Sequence, residues 1–200
     1  MRRAISIAAL ILLLLACSSL VMAQLNDVYW VSYYSNRGHG TAPLDQTVRI
    51  VNPGEQGSPL SGTHGNICAD IYVFDANQEM AECCACKFSA NALLILSVNN
   101  DLTHNPLQGW PPPTDGVIKI VSDNQANCDA TSPVPVPDIR AWATHLQWPG
   151  GTNLVTTEDE FLVAPLQQDE LSFLGQACSF VQFLGSGKGV CSCGGAKTTG

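Results

Sequence analysis

Two hundred residues carrying 9 Lys and Arg against 17 Asp and Glu give a net charge of −8 with histidine neutral. An acidic chain repels phosphate backbones and anionic lipid surfaces, which argues against nucleic acid as a partner. Only 13% of the residues are charged while 17 are Gly and 12 are Pro, a balance that suits a turn-rich exported β protein better than a charged helical bundle.

The chain opens with Met1-Arg2-Arg3, an unbroken apolar run from Ala4 to Ala16, and the small residues Cys17-Ser18-Ser19. This is the three-part pattern of a signal peptide. The run is too short to span a bilayer and no comparable one follows, so no transmembrane segment is expected in the mature chain. Val21-Met22-Ala23 before Gln24 offers a signal-peptidase site, favoured here, and assigns 1–23 to the leader. The alternative is Leu14-Leu15-Ala16-Cys17 as a lipobox, with the protein anchored through Cys17. Loss of Arg2 and Arg3 leaves 7 basic residues against 17 acidic ones, a net charge of −10.

Val28 to Tyr34 is dense in aromatic and β-branched residues and predicts a strand that ends at Asn36-Arg37-Gly38. Leu44 to Val51 predicts another, with Leu44, Gln46, Val48 and Ile50 sharing one face. From Ile67 to Phe74, Ile67, Ala69, Ile71 and Val73 alternate with Cys68, Asp70, Tyr72 and Phe74, the clearest strand of all. Asp75-Ala76-Asn77-Gln78-Glu79 reads as a hairpin turn leading into a cysteine cluster. Ala92 to Val98 and Gly116 to Ser122 are further strands, with a turn at Asn99-Asn100-Asp101. The stiff segment Trp110-Pro111-Pro112-Pro113 lies between them, because proline fixes φ and lacks a ladder donor. After the proline-rich stretch Ser132 to Pro137, strands are expected from Ile139 to Gln147 and from Thr156 to Ala164.

One helix is predicted, about 168–184, with Leu171, Leu174, Cys178 and Val181 on its apolar face and Asp169 and Glu170 in the first turn. Gly185-Ser186-Gly187 ends it. Short strands between Gly and Pro turns followed by one helix predict a mainly β fold: a disulfide-stapled antiparallel β-sandwich, with an immunoglobulin-like arrangement among the options, and a C-terminal helix. The expected organisation is one domain over 24–193 and a flexible tail at 194–200.

Eight cysteines remain once Cys17 is set aside: Cys68, Cys83, Cys84, Cys86, Cys128, Cys178, Cys191 and Cys193. An even count in an exported chain implies disulfides, with 105 possible connectivities. Adjacent Cys83 and Cys84 are poorly placed to bond each other and are expected to staple different parts of the fold. Cys178 is expected to pin the helix either to the sheet or to the Cys191–Cys193 tail. A soft-metal site is the competing reading of the cluster, disfavoured by its spacing and compartment.

Two stretches carry a resemblance. Ile67-Cys68-Ala69-Asp70-Ile71-Tyr72-Val73-Phe74-Asp75 continues through Gln78-Glu79-Met80 and Glu82-Cys83-Cys84-Ala85-Cys86 to Leu96-Ser97-Val98-Asn99-Asn100-Asp101-Leu102-Thr103. Later come Arg140-Ala141-Trp142-Ala143-Thr144-His145, then Cys178-Ser179-Phe180-Val181, Gly185-Ser186-Gly187 and Val190-Cys191-Ser192-Cys193. These strings resemble a family of exported, cysteine-rich bacterial proteins without an assigned activity. The resemblance implies export and a common fold, and no reaction, ligand or cofactor. The tail here is Cys-x-Cys where that family carries Cys-x-x-Cys.

Catalytic motifs are sparse. His39, His64, His104 and His145 form no H-E-x-x-H or close pair, there is no G-x-S-x-G elbow, and Gly185-Ser186-Gly187-Lys188-Gly189 misses the phosphate-loop spacing. Asp75 to Glu79 has alternating oxygen ligands, but Met80 stands where a calcium loop needs Gly. Neither a metal nor another cofactor is expected. Trp110 and Trp148, each before proline in a loop, are the ligand-binding candidates, and the partner class they suit is carbohydrate or another surface protein. The expected function is a non-catalytic exported structural, surface or binding module. An extracellular hydrolase is the alternative and a thiol or metal protein the third.

Overall fold

The computed structural model describes residues 27–38, 44–60, 62, 64–148, 153–183 and 187–194. The leader at 1–23 with Cys17, His39, Gly185-Ser186 and the tail beyond Gly194 lie outside them. Nine strands and one long helix follow in order: β1 (Val28–Ser35), β2 (Thr47–Val51), β3 (Ile67–Asp75), β4 (Met80–Phe88), β5 (Leu93–Ser97), β6 (Asp115–Asp123), β7 (Arg140–Gln147), β8 (Val155–Glu160), β9 (Leu162–Pro165) and α1 (Gln168–Val181). They build a five-stranded sheet, β4-β3-β6-β1-β9, and a four-stranded sheet, β5-β2-β7-β8. Every ladder between these strands is antiparallel.

Inward side chains of both sheets make one core, in which Trp30, Ile71 and Ile120 of the larger sheet meet Val48, Leu96 and Ala141 of the smaller. The expected face is the buried one, with Leu44, Gln46, Val48 and Ile50 all buried, but the strand itself begins only at Thr47, and Leu44 and Gln46 lie in the segment leading into it. β3 is buried on both faces. Its alternation separates two cores, because α1 covers the outer face of the larger sheet with Leu174, Cys178 and Val181 set against Tyr72, Phe74 and Val121.

The approach of α1 depends on Gly175. A Cβ there would lie 2.5 Å from the carbonyl oxygen of Thr131, so only glycine lets the helix seat on the 131–133 segment.

Four local expectations are corrected. The cysteine cluster is itself a strand, β4, whose pairing with β3 slips by one residue beyond Val73. The run from Thr156 to Ala164 is two strands in different sheets. Buried Phe161 marks the switch, where β8 leaves β7 and β9 joins β1. The helix ends at Val181, and Asn99-Asn100-Asp101 lies in a π-helical turn, Val98–Leu102, capped by the Ser97 hydroxyl accepting from the Asn100 N–H.

All eight cysteines pair: Cys68–Cys128, Cys83–Cys178, Cys84–Cys191 and Cys86–Cys193, with Cα atoms 5.2 to 5.7 Å apart. Of the two anchors considered for Cys178, the sheet is the one used. Four disulfides belong to an oxidising environment. No helix among the described residues is long and apolar enough to cross a membrane.

Candidate ligand cleft

A cleft of about 490 Å³ opens at one end of the sandwich between the β3–β4 hairpin, the 106–114 loop, the start of β6 and Arg37 beyond β1. Its wall is Trp110 with Pro111, Pro112 and Pro113. The local sequence dictates this wall. The Trp110 N–H donates to the Leu107 carbonyl at 3.0 Å, closing a four-residue turn whose third residue, Gly109, has φ of +91°. Turns of this type require a left-handed third residue, which glycine supplies without strain. The three prolines then hold the chain extended, and the Trp110 side chain is left 41% exposed.

Opposite stand polar groups of two kinds. Asp115 is locked: Ser35 Oγ donates to it at 2.7 Å, Thr114 Oγ1 at 2.8 Å, and Arg37 Nε forms an ion pair with it. Burial tends to raise the Asp115 carboxyl, but these donors, Arg37 foremost, outweigh it and hold the group below the usual carboxylate range. Asp75 is absorbed by its own turn, its Oδ1 accepting from the N–H groups of Asn77 at 2.8 Å and Glu79 at 2.9 Å. The hairpin reading of Asp75 to Glu79 therefore stands, and the Asp75 oxygens serve the turn. Asn77 and Glu79 line the cleft from the exposed hairpin tip.

Arg37 also lines a second cleft of about 410 Å³, together with Tyr33, Gln46, Leu146 and Trp148. The two candidate tryptophans thus occupy neighbouring clefts that share one guanidinium. Trp110 is the exposed one and Trp148 is half-buried at the end of β7.

The histidines are dispersed. His64 is exposed, with Nδ1 2.8 Å from the Pro59 carbonyl oxygen. His145 is fully buried, stacked on Tyr33 at 4.3 Å between ring centroids. Gln46 Nε2 donates to the Ser35 carbonyl, so its Oε1 accepts the His145 Nδ1–H at 3.1 Å. Burial lowers the His145 pKa, with Asp159 opposing, and the ring is neutral at physiological pH. His104 lies 3.8 Å from Oε2 of Glu82, and neither residue lines the cleft.

Sequence reading passed over the buried carboxyls. Glu82 has no exposure, accepts the Asn105 N–H at 2.5 Å, and is pushed up to about 8, chiefly by burial. Asp70 is equally buried and also raised to about 8, by burial first and then by Asp123 beside it. The donors around this pair all reach Asp123: the Gln125 N–H and side-chain amide, and the Val134 N–H. None reaches Asp70, so the proton the pair shares belongs on Asp70, which donates it to Asp123. Closed off beneath the 124–134 segment, this pair has no access to substrate. A polar residue at an otherwise apolar strand position was the one available signal.

No protein-family model matches this chain, and no curated protein matches it. Among solved structures, Thermotoga maritima 1070 is similar, with 13% identity over 70% of this chain and 95% of that one, at a TM-score of 0.41. That likeness is too slight to bear on the cleft.

Proposed function

We propose that this is an exported, non-catalytic binding module, allied to the cysteine-rich bacterial family its sequence resembles, and that the Trp110 cleft receives an uncharged sugar. The carrying observation is Trp110 itself: a large aromatic face left 41% exposed on a turn and a triple proline that give it little freedom. A preformed apolar platform with a few polar groups around it is the usual make-up of a small-ligand site. The polar groups here are Arg37, Asn77, Glu79 and Thr114. Export is supported by the leader-like first 23 residues and by the four disulfides.

The test is a titration of the mature protein with neutral oligosaccharides, followed by tryptophan fluorescence and calorimetry. Trp110→Ala is expected to weaken binding at least tenfold with an unchanged melting temperature, and Trp148→Ala to weaken it less. Binding that is absent from the wild type, or untouched in Trp110→Ala, overturns the reading.

A second reading, an extracellular hydrolase, draws on Glu82, a buried carboxyl held protonated near neutrality 3.8 Å from the half-exposed His104. It requires that Glu82→Gln abolish a measurable glycosidase activity.

A further inference from the structure

Cys84 and Cys86 are two residues apart on β4, so both side chains leave the same, inward face. The segment Gly189–Cys193 runs beside β4 in parallel. The Cys83 N–H donates to the Gly189 carbonyl, and the Cys191 N–H donates back to the Cys83 carbonyl. Cys191 and Cys193 therefore meet Cys84 and Cys86 in register, and two disulfides lie side by side as rungs.

The spacing of those rungs has a chemical meaning. Cys84 Sγ and Cys86 Sγ are 3.9 Å apart, and the sulfurs of Cys84, Cys86 and Cys193 all lie within 4.8 Å of one another. A tetrahedral thiolate site with metal–sulfur bonds of about 2.3 Å has sulfur–sulfur edges of about 3.8 Å. One edge of such a site is already built by β4 alone. Both Cys-x-Cys pairs supply soft ligands, and the other staples, Cys68–Cys128 and Cys83–Cys178, tie the opposite face of β3 and β4 independently. The cluster is approached at Cys193, which is half-buried while Cys84, Cys86 and Cys191 are buried.

We infer that Cys84, Cys86, Cys191 and Cys193 form a reduction-gated binding site for a soft d10 metal ion such as Zn2+ or Cd2+. In the oxidised protein the four sulfurs are two disulfides. A dithiol reductant supplies two electrons and two protons to each, becoming its own cyclic disulfide and leaving four cysteine thiols. The metal ion then binds the four sulfurs as thiolates and releases four protons. In either state the tail stays tied to β4, by disulfides when oxidised and through the metal when reduced.

The experiment starts from the oxidised mature protein, reduced with dithiothreitol and desalted without oxygen. Cadmium ion is then added, and the thiolate-to-cadmium absorption band is followed. One equivalent of Cd2+ is expected to saturate the band with four-sulfur intensity. It is also expected to slow alkylation of Cys84, Cys86, Cys191 and Cys193 at least tenfold, as mapped by mass spectrometry. The C68S/C128S variant keeps the band and C86S/C193S loses it. A wild type without the band, protection of any other set of cysteines, or full intensity in C86S/C193S overturns the inference. The protection map is read on the wild type and so decides the matter even if a variant fails to fold.

Discussion

Cys83 and Cys84 are adjacent in β4 and bond to opposite sides of the sheet, Cys83 outward to Cys178 on α1 and Cys84 inward to Cys191 on the tail. Alternation along a strand makes this obligatory: neighbours cannot share a face. One dipeptide thereby fastens both layers that flank the edge strand β4. Replacing Cys83 and Cys178 together by alanine is expected to cost about 2–5 kcal/mol, the usual value for a long-loop staple. Hydrogen exchange should quicken in α1 well before β2 or β5, and uniform quickening through the sandwich would refute this division of labour.

Asp70 makes stability fall as pH rises. Its folded value of about 8 lies above the 3.8 of an ordinary aspartate, so between those limits the unfolded chain has released a proton that the folded chain retains. The slope is about 1.4 kcal/mol lost per pH unit across that window, levelling off above it. Asp70→Asn keeps a neutral donor facing Asp123 and removes this slope. Urea denaturation from pH 4 to 9 is expected to show a shallower decline for the variant, and parallel curves would count against the shared proton. Glu82→Gln is expected to act in the same direction.

Gly175→Ala introduces the methyl group that meets Thr131 at 2.5 Å. Helix propensity alone would favour alanine by about 1 kcal/mol. Overpacking against backbone costs about 1–3 kcal/mol and is expected to dominate, lowering the melting temperature. A more stable variant would mean that the 131–133 segment yields freely.

Arg37→Ala removes the leading influence holding the Asp115 carboxyl down, and Asp115 is expected to titrate higher, closer to ordinary aspartate, by NMR. Since its folded value is depressed, Asp115 stabilises the protein above the ordinary aspartate range and loses that contribution as pH falls through the folded value. With the Arg37 side chain 74% accessible, solvent screens the pair, and the melting temperature at pH 7 is expected to change little.

The local signals in the chain were strong enough to declare most of the elements. Alternation marked β2 and β3, aromatic and β-branched density marked β1, and the three- and four-residue spacing of Leu171, Leu174, Cys178 and Val181 marked α1. Oxidised pairing was legible from an even count of cysteines, and the divergence of Cys83 and Cys84 from the geometry of adjacent residues. What tertiary structure alone decided is whatever depends on which surface lies opposite. Cys68, Asp70, Tyr72 and Phe74 could have faced water until α1 and the 124–134 segment covered them. β8 and β9 read as one strand because the switch at Phe161 is set by the two sheets that receive them. The cleft joins Arg37 to Asp115 across 78 residues of chain. Periodicity is a property of neighbours along the backbone, whereas burial, proton sharing and site assembly belong to neighbours in space, and only the packed sheets bring those together.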